Sequence, residues 1–120
     1  MAIHQLFAGT AVTDFDQALA WYERFMGRPP DFFPHAREAV WKVTETGWIY
    51  IVDDAARAGG GLLTFMVDDL EDRVAEIAGR GIETGEIAWV VPESTRSAWI
   101  TDLEGNRIQL AEVLDGESER

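Results

Sequence analysis

The sequence predicts an α+β domain made of two βαβββ repeats. Three observations lead there. One short pattern occurs twice: Ala11-Val12-Thr13-Asp14-Phe15 is echoed by Met66-Val67-Asp68-Asp69-Leu70, each an apolar extended run meeting an acidic helix-start signal. An amphipathic helix and a glycine-bounded turn follow each copy. The ends of the halves also match, Ile49-Tyr50-Ile51-Val52-Asp53 against Ile108-Gln109-Leu110-Ala111-Glu112. Internal repeats decide an architecture before any local signal does, and two copies of one unit imply a pseudo-twofold domain with a cavity between its halves.

The elements of the first half follow in order. Ile3 to Val12, rich in small and apolar residues, reads as a strand. Asp14 is a helix N-cap, and Gln17 stands at the capping-box spacing. Ala18, Trp21, Tyr22 and Phe25 then recur at i, i+3, i+4 and i+7, which is one helix face. Gly27 ends that helix, and Pro29-Pro30 forbids its continuation. Asp31 to Phe33 is a short edge strand. Glu38 to Val43 and Trp48 to Val52 form a hairpin through Thr44-Glu45-Thr46-Gly47.

The second half repeats the order. Leu62 to Val67 is a strand, Asp68 or Asp69 caps a helix with Leu70, Val74, Ile77 and Ala78 on its buried face, and Gly79-Arg80-Gly81 closes it. Ile87 to Val91 is a strand interrupted by Pro92. Ser97 to Thr101 and Arg107 to Val113 form the last hairpin around Asp102-Leu103-Glu104-Gly105-Asn106. The expected helices are 14–26 and 69–80. The expected organisation is one domain, 1–114, with repeat one at 3–54, a hinge at 55–61, repeat two at 62–113 and a disordered acidic tail at 115–120. Gly59-Gly60-Gly61 precedes a strand and not a helix N-terminus, so it reads as the hinge and not as a phosphate cradle.

Composition narrows the function classes. The 120 residues suit one domain, in which each repeat alone is too small to bury a core. No cysteine is present, which removes disulfides, thiolate metal sites and a cysteine nucleophile. A net charge of −12 opposes binding to a phosphate backbone, since that affinity comes mainly from Lys and Arg. Nucleic acid is therefore not an expected partner, and neither is a membrane, since no apolar run approaches the length of a membrane span. The first residues, Met1-Ala2-Ile3-His4-Gln5, lack a basic segment followed by an apolar core, so a cytoplasmic location is expected. Ser94, Ser97 and Ser118 have no neighbouring histidine to activate them.

Three segments together resemble the vicinal oxygen chelate superfamily of glyoxalase I, extradiol dioxygenases, fosfomycin-resistance enzymes and bleomycin-resistance proteins. They are Val12-Thr13-Asp14-Phe15 leading into Ala20-Trp21-Tyr22-Glu23 and Gly27; Val67-Asp68-Asp69-Leu70 leading into a helix that ends at Gly81; and Asp102-Leu103-Glu104-Gly105-Asn106-Arg107-Ile108-Gln109-Leu110, close to the family's Asp-Pro-Asp-Gly-Asn-x-x-Glu-Leu. The resemblance spans residues 3 to 113. It implies that the two repeats form paired half-barrels around a cleft, with metal ligands on the first and last strand of each unit. It also implies a homodimer. The sequence leaves open whether the repeats pair within one chain or between two.

This chain departs from the family at those ligand positions. The first-strand position, seven residues before the capping aspartate, is Phe7, and its second-unit counterpart is Leu62. The final-strand position is Gln109, with Tyr50 as its counterpart. Phe and Leu have no donor atom, Gln offers a neutral carbonyl, and Tyr would have to lose a proton from a pKa near 10. His4, three residues before Phe7, points to the opposite strand face, and His35 sits in a loop after Pro34. No metal and no cofactor are expected.

An aromatic wall takes the place of the ligands. Phe7 and Leu62 are expected to face one cleft, and alternation adds Gly9 and Ala11, Thr64 and Met66, Trp48 and Val52, and Arg107 and Ala111. With the other tryptophans, the candidate ligand-binding set is Phe7, Trp41, Trp48, Tyr50, Leu62, Trp89, Trp99 and Gln109. Indole faces stack on flat ligands and attract cations. The expected function is a metal-free protein of the bleomycin-resistance type that sequesters an aromatic or cationic drug or metabolite, conferring antibiotic resistance where the ligand is an antibiotic. Two alternatives stand beside it: a metal-dependent lyase or dioxygenase with a rearranged site, and a dimeric interaction module whose cleft is empty.

Overall fold

A computed structural model describes residues 1–114, and the expected tail at 115–120 lies outside the described residues. The first repeat runs β1 (Leu6–Val12), α1 (Phe15–Met26), β2 (Phe32–His35), β3 (Glu38–Lys42) and β4 (Gly47–Asp53). A single 3-10 turn at Ala55–Arg57 leads to the second repeat: β5 (Leu62–Met66), α2 (Leu70–Gly79), β6 (Ala88–Val91), β7 (Thr95–Thr101) and β8 (Arg107–Val113). Each repeat folds into its own four-stranded mixed sheet, in the orders β1-β4-β3-β2 and β5-β8-β7-β6. The first strand of each repeat pairs in parallel with the last, and the other pairs are antiparallel. The edge strands β1 and β5 lie side by side, so the sheets meet edge to edge.

One face of each sheet carries the helices. Val12, Ile49, Ile51 and Trp41 from the first sheet, and Leu63, Ile100, Ile108 and Leu110 from the second, share one core with Phe15, Trp21, Tyr22 and Phe25 of α1 and Leu70 and Ile77 of α2. Phe25 reaches across to Phe65, ring centroids 6.1 Å apart. Each fully buried aliphatic side chain, such as Ile51, Leu70 or Ile108, contributes about 1.5–3 kcal/mol. Neither repeat has these partners alone. In α2, Ala78 is exposed and not part of the buried face. It follows Ile77 directly, which rotates it about 100° from the apolar stripe.

Both helix starts differ from simple aspartate caps. Asp14 accepts the Gln17 N–H on Oδ1 at 3.2 Å, as its spacing predicts. The preceding amides go to the other repeat: Glu104 accepts the N–H groups of Thr13 at 2.6 Å and Asp14 at 2.8 Å, and the Thr13 hydroxyl at 2.9 Å. Asp69 stands at the N-cap of α2 in a left-handed conformation (φ 56°) with its own side chain making no cap bond. Glu112 on β8 takes the N–H groups of Asp69 and Leu70 instead, at 2.9 and 3.3 Å. A negative charge at each helix start is favourable in either arrangement.

A polar seam joins the repeats. Asn106, fully buried, accepts the Gly61 N–H at 2.7 Å and donates to the Ala11 carbonyl at 3.1 Å and to Asp102 Oδ2 at 2.8 Å. The Tyr22 hydroxyl donates to the same Asp102 oxygen at 2.7 Å. Burial, and then the Asp102 charge, push the Tyr22 hydroxyl far above its ordinary pKa, so it remains a donor. Gly61 is required here, because a Cβ would stand 2.7 Å from both Asn106 and Thr10. The expected hinge therefore ends in a closely packed joint.

Candidate functional site

Register decides which side chains share the face that the helices leave open. In the first sheet Phe7 lies beside Trp48 and Gly9 beside Tyr50. Across β3 the same face continues with Lys42 opposite Trp48 and Val40 opposite Tyr50, and Phe32 of β2 lies opposite Val40. The alternate residues, Ala8, Thr10, Val12, Ile49 and Ile51, turn to the helices.

Trp48 is the centre of an aromatic cluster on this open face. Phe7 stacks on it with ring centroids 5.4 Å apart and planes 5° apart. Phe32 meets it edge-on at 5.8 Å, and the Lys42 ammonium sits 5.6 Å from its centroid. Phe7 and Phe32 remain 45% and 42% exposed. The Trp48 Nε1–H is shielded and has no hydrogen-bond acceptor among the described residues. Unpaired shielded donors are rare because each costs about 1–3 kcal/mol. Sequence reasoning missed Phe32 and Lys42. Their signal was available in the alternation of β3 against Tyr50, but the bulged register of β2 was not.

The open face of the second sheet is more polar. Leu62, Thr64 and Met66 alternate along β5, beside Arg107, Gln109 and Ala111 of β8. The Thr64 hydroxyl donates to Gln109 Oε1 at 3.2 Å. Trp99 lies opposite Gln109 and carries the Arg107 guanidinium 4.4 Å from its centroid. Leu62 is 69% exposed. Phe7 and Leu62 both face away from the helices, each on its own sheet.

Two candidate residues do not belong to these faces. Trp41 is fully buried, tilted against Tyr22 at 6.2 Å, with its Nε1–H donating to the Arg28 carbonyl at 3.0 Å. It pairs with Ile49, so strand periodicity puts it in the core. Trp89 pairs with Arg96, which turns toward Glu71 of α2 and Glu112. Its half-exposed ring packs under the Arg96 guanidinium at 5.9 Å, on the side opposite Gln109 and Trp99. In both cases the sequence alone did not fix the parity of the strand.

The metal-ligand positions hold poor donors. Phe7 and Trp48 occupy each other, Leu62 is an exposed aliphatic, and the Gln109 carbonyl already accepts a hydroxyl. His4 precedes β1 in an exposed position, and His35, which ends β2 and is not in a loop, has its Nε2 3.2 Å from Glu38 Oε1 of β3. Among the described residues, no three or more His, Asp or Glu side chains come together as an ion site. The residues present do not fit the divalent ion of the family's enzymes.

No protein-family model and no curated protein matches the chain. Among solved structures, a glyoxalase/bleomycin resistance protein from Catenulispora acidiphila DSM 44928 is 38% identical, covering 91% of this chain and 97% of its own, with a TM-score of 0.85. The chain belongs to the glyoxalase/bleomycin resistance protein family. Two more distant members of this fold bind antibiotics. TnmS3, an antibiotic-binding protein from Streptomyces sp. CB03234, is 23% identical over 94% of this chain and 98% of its own, with a TM-score of 0.73. A bleomycin-binding protein solved with bleomycin is 18% identical over 90% of this chain and 97% of its own, also at 0.73. At those identities the likeness is one of fold. The glyoxalase/bleomycin resistance architecture accounts for the paired βαβββ sheets. Among the described residues, no helix is long and apolar enough to cross a membrane.

Proposed function

We propose that this protein is a metal-free small-molecule-binding protein of the glyoxalase/bleomycin-resistance type, which holds a flat aromatic or cationic drug or metabolite against its open sheet faces. The observation that carries this reading is the Trp48 cluster: Phe7 stacked at 5.4 Å and Phe32 edge-on at 5.8 Å, both nearly half exposed, at a position where the family's enzymes use metal ligands. Rings presented in this way supply stacking and cation–π attraction of about 0.5–2 kcal/mol per contact. The surrounding acidity, −12 overall, favours a cationic ligand. Tyr50 and Gln109 add one polar group on each sheet. Antibiotic binding by two relatives of the same fold supports a drug-like ligand.

The site is completed by a second copy of the chain. The exposed Phe7, Phe32, Leu62 and Met66 leave more apolar surface on the open faces than a monomer usually presents. A homodimer that sets one open face against another would cover it and enclose the ligand. Light scattering should give twice the 13.4 kDa chain mass at micromolar concentration, and a monomer mass would oppose this arrangement.

The direct test is a thermal-shift screen of chelator-treated protein with aromatic and cationic drugs and metabolites. A true ligand at one hundred times its Kd stabilises by about 2.7 kcal/mol through mass action. Tyr50→Ala and Gln109→Ala should each weaken binding while leaving folding largely intact. Hits untouched by both substitutions would move the site elsewhere.

A further inference from the structure

We propose that a recess between the two repeats, which meets the aromatic face at Trp48 but lies on the helix side of the sheets, is a second ligand site for a lipophilic molecule carrying one anionic group. The recess has a volume of about 580 Å³ and is bordered by β1, β4 and β5, the end of α1 and one side of α2. That volume is in the range of small-molecule pockets. Its walls are apolar: Ala8 and Ile49 from the first repeat, Leu63 and Phe65 from the second, and Phe25 and Ile77 from the two helices. Trp48, Thr64 and Met66 border it from the open faces, whereas Tyr50 and Gln109 do not.

The pseudo-twofold symmetry explains why the recess exists. Tyr22 follows its capping aspartate by eight residues, as Ile77 follows Asp69, and Asn106 precedes Gln109 by three, as Gly47 precedes Tyr50. The strand register agrees, since Phe7 pairs with Trp48 as Leu62 pairs with Arg107. At one end of the joint, Tyr22 and Asn106 fill the space between the repeats and bond to Asp102. At the other end the equivalent residues are Ile77 and Gly47, and both border the recess. The symmetry-related space is plugged on one side and hollow on the other because of those two residue choices.

The mouth carries the charge. Arg73, Glu76 and Arg80 of α2 and its C-terminal turn border it. Arg73 is paired with Glu76 at 2.9 Å. Arg80 donates to the carbonyls of Arg24 and Phe25, the latter at 2.7 Å, and among the described residues it has no carboxylate partner. The end of α1 therefore holds a guanidinium in place at the edge of an apolar recess. In a chain with 22 acidic and 10 basic side chains, this is a local positive rim. An anionic group can pair with Arg80 while the rest of the molecule lies against the Phe25–Phe65 pair and Ile77.

The probe is 8-anilinonaphthalene-1-sulfonate, with the uncharged N-phenyl-1-naphthylamine as its control, both followed by dye fluorescence. Ile77→Phe, which restores bulk at the hollow end, should weaken sulfonate binding at least tenfold with an unchanged circular dichroism spectrum. Ala8→Leu fills the same space from β1 and gives the same reading if Ile77→Phe does not fold. Arg80→Gln, whose amide nitrogen stands where the arginine Nε donates to the Arg24 carbonyl, should weaken the sulfonate at least fivefold and leave the neutral amine within twofold. Tyr50→Ala should leave sulfonate binding within twofold. Sulfonate binding that survives both filling variants overturns the site. Equal loss of the two dyes in Arg80→Gln overturns the anionic class. Because Tyr50→Ala reads the aromatic face alone, failure of either site is visible without the other.

Discussion

Tyr50 lays its ring over Gly9: a Cβ built on that glycine would stand 2.3 Å from the ring carbon Cε2. The absence of a side chain at position 9 is what lets the tyrosine lie flat on the open face beside Trp48. Gly9→Ala should swing the ring away, because a rotating side chain yields more cheaply than backbone. Stability should fall by less than about 1 kcal/mol, while ligand affinity falls by roughly fivefold through loss of one stacking or polar contact. Calorimetric titration beside a thermal melt separates the two effects.

Glu104 ties the second repeat to the first turn of α1 through Thr13 and Asp14. Partial burial pushes its pKa up, but the N–H groups of Asp14 and Thr13 and the Thr13 hydroxyl outweigh this and hold the carboxyl below its ordinary value of 4.5. A carboxylate with a depressed folded-state pKa stabilises fully above its unfolded value, and that stability is lost as pH falls through the folded value. Glu104→Ala should therefore cost about 1–2 kcal/mol near neutrality. The wild type should lose this advantage below about pH 4.5, so that the two proteins converge in acid. Urea midpoints between pH 7 and pH 3 measure the convergence.

Asn106 is the joint's central residue, and Asn106→Ala would strand the Gly61 N–H and the Ala11 carbonyl in a buried place. Each orphaned group costs about 1–3 kcal/mol. A loss of about 2–4 kcal/mol in a guanidinium denaturation curve is expected. A loss under about 0.5 kcal/mol would mean that water replaces the amide and that the seam is not closed.

Much of this was legible in the sequence because it depends on short-range pattern. The Asp14 and Asp69 signals place helices that begin at Phe15 and Leu70, and alternation along β1, β4, β5 and β8 puts Phe7, Tyr50, Leu62 and Gln109 on the side away from the helices. What was illegible depends on register between strands. Trp41 and Trp89 read like Trp48 in isolation. Only their pairing with Ile49 and Arg96 shows that they turn the other way. The carboxylates that cap the helices, Glu104 and Glu112, are far from Asp14 and Asp69 in sequence and carry no local signal. The recess at Ile77 and Gly47 becomes visible only when the two repeats are compared position by position.

The central claim is that the open aromatic face binds its ligand without a metal. The most direct measurement is calorimetric titration of chelator-treated protein, wild type and Tyr50→Ala, with the strongest cationic aromatic compound from the thermal-shift screen. The account predicts saturable binding by the wild type in the presence of chelator and at least fivefold weaker binding by Tyr50→Ala. Binding that appears only after a divalent metal is added, or equal affinity in the two proteins, would contradict it.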